Sequence, residues 1–108
     1  HIQEADKLYT AILKAQPQHP DANHNMGILG IQVGQPDQAL PFFKTAVKAN
    51  PNIEQYWVSY ISNLIDLNQI NDAKKVLKRA KKQGILSATI NDLEKNIGGA
   101  NQLEKINH

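Results

Sequence analysis

Cysteine is absent from the 108 residues. That removes a disulfide framework, a thiolate zinc site and a cysteine nucleophile. Aromatic residues are sparse, at one Trp, three Tyr and two Phe. No apolar run nears the ~20 residues that cross a bilayer. No segment at the start has the plan of a signal peptide, so a cytoplasmic setting is expected. An excess of charge is missing too: twelve Lys and Arg stand against ten Asp and Glu, for a net charge of +2. With 41% hydrophobic and 20% charged residues, the composition is neither disordered nor fibrous. The length allows one domain. The chain starts at His1 without Met and ends on His108, as expected for a fragment of something longer.

What is present is a period. Shifting the chain by 34 residues aligns Ala5, Ala39 and Ala73, and then Tyr9, Phe43 and Leu77. Ile12, Ala46 and Ala80 form a third column, and Pro17 and Pro51 a fourth. Gly34 and Asn68 form a turn column of the two residue types best suited to a left-handed backbone. Within each period the apolar spacing is helical, as in Ala39, Phe43, Ala46 and Val47. The small alanines let helix backbones approach while Phe43 or Leu77 fills the groove.

Punctuation sets the ends. Gly34-Gln35-Pro36-Asp37 closes one helix and opens another. Asn50-Pro51 stops the next, and Gly84 is placed as a C-terminal cap. These signals predict helices at about 2–15, 21–33, 37–49, 54–67, 71–83 and 88–97. Ser87 is expected to cap the last helix, and Gly98-Gly99 to break it.

The set Pro17, Gly27, Ala39, Phe43, Ala46 and Pro51, followed by Trp57, Ala73, Leu77 and Ala80, resembles the tetratricopeptide repeat. The resemblance covers about residues 2–84. It implies an all-α fold, a right-handed superhelix of antiparallel helix pairs. Asn23 stands at the family's tryptophan site in the first full repeat, Ile61 at its glycine site in the second, and Ile85 where a third proline belongs. The register gives a repeat domain over 1–98. It comprises a second helix at 2–17, full repeats at 20–51 and 54–84, and a capping or partial-repeat helix at 87–98. Residues 99–108 are expected to be a polar tail or linker.

No constellation carries chemistry, and no catalytic, cofactor or metal role is expected. His19 and His24 are five apart with Pro20 between them, without a supporting carboxylate or an H-E-x-x-H pattern. Ser59, Ser62 and Ser87 are in no G-x-S-x-G elbow. Gly27 and Gly30 sit at helical spacing in an apolar segment, which fits close helix packing better than a phosphate loop. Lys74, Lys75, Lys78, Arg79, Lys81 and Lys82 fall within nine positions. They read either as a surface for an anionic partner or as the solvated back of a helix. The second reading is preferred because no aromatics are interleaved to stack bases, so nucleic acid is not expected as a partner. Trp57 is read as packing, whereas Tyr56 or Tyr60 can present a hydroxyl at a groove.

In the tetratricopeptide family the first helix of each repeat lines a concave groove. The resemblance places Asp21, His24, Asn25, Ile28 and Gln32 there, with Gln55, Ser59, Ser62 and Asp66 from the next such helix. This surface has no Lys or Arg, and only Asn25 matches the clamp with which chaperone-type members hold terminal carboxylates. The expected function is therefore non-catalytic binding of a peptide or partner protein, with homodimerisation through the apolar helix at 2–15 as a second mode. The segment Ala39–Thr45 is also similar to repeats found ahead of bacterial glycosyltransferase or sulfotransferase domains. That would make the chain a substrate-presenting arm.

Overall fold

The computed structural model describes residues 1–106, with side-chain environments over residues 1–99. The described residues form six helices: α1 (Ile2–Ala15), α2 (Pro20–Gln32), α3 (Pro36–Ala49), α4 (Glu54–Asp66), α5 (Ile70–Lys82) and α6 (Ala88–Ile106). Each helix packs on the next in sequence, and α4 also meets α6. The result is elongated, at 47 × 30 × 19 Å, as stacking of helix pairs requires.

The turns repeat at the 34-residue period. Gly34 and Asn68 both take positive φ, 77° and 61°, and Gly84 follows at 88°. Behind the first two turns the same bond closes the helix: the Gln35 amide donates to the Gly30 carbonyl at 2.8 Å, and the Gln69 amide to the Leu64 carbonyl at 2.8 Å. Helices α2 and α3 begin one residue earlier than the sequence spacing predicts, at Pro20 and Pro36. A proline has no amide to leave unpaired in a first turn. His19 caps α2 through Nδ1, which accepts from the Ala22 amide at 3.1 Å. Ser87 caps α6, its Oγ accepting from the Ile90 amide at 3.2 Å.

One expectation is corrected. Gly98 and Gly99 do not break α6, which runs on to Ile106. Neither glycine adopts positive φ, so each costs the helix only about 1 kcal/mol relative to alanine. Residues 100–106 continue α6, and residues 107–108 of the expected polar tail or linker lie outside the described residues.

The core runs through α3, α4, α5 and α6. Ala39, Ala46, Ala73 and Ala80 are fully buried, with Phe43, Trp57, Ile61 and Ile90 filling the space between backbones. Helix α4 is the hub and buries seven residues, whereas α1 buries none.

Candidate functional site

Helices α2 and α4 carry the residues expected at a groove, and side chains join them across two rungs. His24 Nε2 and Ser59 Oγ are 2.8 Å apart, and the Tyr56 hydroxyl donates to the Asp21 carboxylate. Gln55 Nε2 also donates to Ser59 Oγ, at 3.2 Å. The His24 ring lies between Phe43 and Tyr56, with centroids 5.6 and 5.0 Å away.

This setting changes the titration of both aromatic partners. Burial lowers the His24 pKa from its ordinary 6.5, opposed by hydrogen bonding to Asn25 and by the charge of Asp21. The Tyr56 hydroxyl is pushed up to about 12, first by burial and then by its bond to Asp21 and the charge there. His24 and Ser59 thus sit at the contact distance of a catalytic dyad. However, Ser59 is only 9% exposed, and Asp21 is engaged by Tyr56 instead of orienting the imidazole. The pair works as a brace between helices.

Beside the rungs lies a cleft of about 200 Å³. Of the expected residues it gathers Ile28, Gln55, Ser59, Ser62 and Asp66. Asp21, His24 and Asn25 stand outside it, with Asp21 and His24 held on α4, and Gln32 is an exposed residue away from the cleft. Sequence projection missed Ile31, Phe43, Val58 and Asn63 in the lining. Phe43 and Asn63 belong to the packing stripes, so a rule that takes only residues off the stripe discards them. Asn63 is 2% exposed; its Nδ2 donates to the Pro36 carbonyl at 3.0 Å, and its Oδ1 has no partner among the described residues. The lining therefore mixes apolar Ile28, Ile31, Phe43 and Val58 with the polar side chains of Gln55, Ser59, Ser62, Asn63 and Asp66. No Lys or Arg lies on either helix, while Asp21, Glu54 and Asp66 supply acids.

Trp57 is buried at 2% exposure, and its indole N–H donates to the Pro51 carbonyl at 2.8 Å. A family model described as tetratricopeptide repeat matches residues 1–59, just over half of the chain. The chain belongs to the tetratricopeptide repeat family. No curated protein matches it. Tetratricopeptide repeats are generally non-catalytic modules that bind proteins or peptides. The match stops within α4, and the turn at Asn68, the buried Ala73 and Ala80 and the cap at Gly84 carry the same repeat onward. Among the described residues, no group of three His, Asp or Glu is placed to hold a metal, and no helix is long and apolar enough to cross a membrane.

Proposed function

We propose that this tetratricopeptide repeat chain holds an extended peptide or a partner's loop against the α2–α4 face, the side that is concave in the family. The observation that carries the reading is the cleft beside Asn63. It combines Gln55, Ser62 and Asp66 with the apolar side chains of Ile28, Ile31 and Val58 in one lining. A peptide backbone needs such alternation, with donors and acceptors for its amides and apolar hollows for alternate side chains. The lack of bases on α2 and α4 supports a neutral or basic ligand over a terminal carboxylate. Selection of peptides from a random display library, followed by titration into wild type and Gln55→Ala/Asp66→Ala, tests it. Both substituted residues are exposed, so the fold should survive. Equal affinity in the two proteins contradicts the assignment.

Self-association through α1 is a second mode. Ile2 and Leu8 are 45% and 58% exposed, and Ile2 borders a cleft of about 340 Å³ with Met26, Leu29, Val33 and Phe42. A second copy presenting the same apolar stripe would cover this face. A monomeric mass by light scattering at ~100 µM, far above ordinary interface dissociation constants, rules it out.

A further inference from the structure

The six-base run on α5 does not simply face water. Helices α3 and α5 both pack on α4 and scarcely on each other, which leaves a furrow between them. Two hollows of about 580 and 280 Å³ lie along it, and Arg79 borders both. The first hollow is lined by Leu40, Tyr60, Leu64 and Val76, all buried or half-buried. The furrow's edges are cationic on both sides, with Lys44, Lys75 and Arg79 at the first hollow and Lys48, Arg79 and Lys82 at the second. Lys44 and Lys48 stand four apart on α3, and Lys75, Arg79 and Lys82 stand four and three apart on α5. Residues at those steps share one helix face, so each edge is a rail, and the α5 rail is about 10 Å long.

Among the described residues, none of these five cations makes a salt bridge. Among the described residues the salt bridge is Lys81 with Glu94, on another side of α5, and Asp72 is the acid bordering the furrow. Arg79 instead lies over the Trp57 ring, 5.7 Å from its centroid. The Tyr60 hydroxyl borders the first hollow, and burial raises its pKa.

We propose that the α3–α5 furrow is a docking site for an acidic amphipathic helix of a partner protein. The floor receives an apolar stripe at i, i+3/i+4 and i+7, and the two rails pair with Asp or Glu flanking that stripe on both sides. Charge complementarity selects the occupant: five cations against one acid along an apolar furrow match a helix that is apolar along one line and acidic beside it. Nucleic acid matches less well. Trp57 is 2% exposed with Arg79 over its ring, which leaves Tyr60 as a lone ring in the floor and no run of stacking faces for bases. The sequence shows α5's bases but not their convergence with Lys44 and Lys48, because the pairing is made by α4 standing between the two helices.

Trp57 is the sole tryptophan and borders the furrow with Lys48 and Arg79, so its emission reports occupancy. The probe is a Trp-free designed helix of about four turns with a Leu stripe flanked by Glu. Controls are its Lys-for-Glu counterpart, a scramble of the same composition, a single-stranded oligonucleotide, and vesicles containing phosphatidylserine. Expected are saturable binding of the Glu helix, weakening as salt rises from about 50 to 300 mM, and no binding of the Lys helix. Lys44→Glu/Lys75→Glu should weaken the Glu helix by roughly tenfold or more. Lys7→Glu/Lys14→Glu, with the same change in net charge on α1, and Gln55→Ala/Asp66→Ala on the other face should leave it within about twofold. Circular dichroism verifies that each variant is folded. Equal binding of the scramble, equal loss in the α1 variant, or tighter binding of the oligonucleotide or vesicles than of the Glu helix overturns the proposal.

Discussion

Asn23 and Trp57 stand one period apart and make the same hydrogen bond. Asn23 Nδ2 donates to the Pro17 carbonyl at 3.1 Å, and Trp57 Nε1 to the Pro51 carbonyl at 2.8 Å, each reaching back six residues. Asparagine replaces the indole by its donor, not its bulk. Asn23 additionally donates to the His19 carbonyl at 2.8 Å, which ties the loop before α2 to its first turn. Asn23→Ala removes both bonds at a buried position and should cost about 1–3 kcal/mol in urea denaturation. A cost within error of zero would mean that the loop carbonyls find water.

Gly27 and Phe43 form a complementary pair. A Cβ built on Gly27 would lie 2.4 Å from the Phe43 ring. The same two columns one period later hold Ile61 and Leu77, both buried. Bulk has moved from the second helix to the first. Gly27→Ala should therefore destabilise by about 1–3 kcal/mol through overpacking. Combining it with Phe43→Leu should cost less than the sum of the single changes, with a coupling of about 0.5–3 kcal/mol in a double-mutant cycle. Strict additivity would contradict the pairing.

Asn68 occupies a left-handed turn, at φ 61°, that Gly34 fills in the preceding repeat. Asn68→Gly should be near neutral, whereas Asn68→Ala should lose about 1–2 kcal/mol, because alanine lacks the short polar side chain that lets asparagine tolerate the left-handed region. Thermal midpoints of the two variants separate the cases, and equal midpoints would refute the strain.

Much of this was legible in the sequence, and the reason is the period. Alanine columns, turn residues and the prolines recur at fixed steps, so each helix is predicted several times over. Helix α6 has no such support: Gly98-Gly99 looks like a stop, yet helical φ is open to glycine and the helix continues. The α2–α4 face was legible as a list of residues but not as a geometry. Ser59 and His24 were expected at a groove as separate polar groups; they are bonded to each other across 35 residues. Asn63 escaped because its spacing marks it as core, which it also is.

The burial of His24 makes stability sensitive to pH. Burial holds the folded His24 pKa below 6.5, while the unfolded chain protonates near 6.5. The unfolded state thus binds more protons between those two values. Stability from this group is complete above pH 6.5, falls as pH drops through that value, and levels off once folded His24 also protonates. Urea midpoints at pH 7.5 and 5.5 should differ more in wild type than in His24→Gln, and an equal drop in both would assign the sensitivity elsewhere.

The central claim is that the α2–α4 face receives an extended ligand. Its most direct test is amide chemical-shift mapping of the ¹⁵N-labelled chain with the tightest peptide from the display selection. Shifts should concentrate on α2 and α4 around Ile28, Gln55, Ser62 and Asn63, and should be lost in Gln55→Ala/Asp66→Ala. Shifts confined to α1, α3 or α5, or affinity unchanged in that variant, would contradict it.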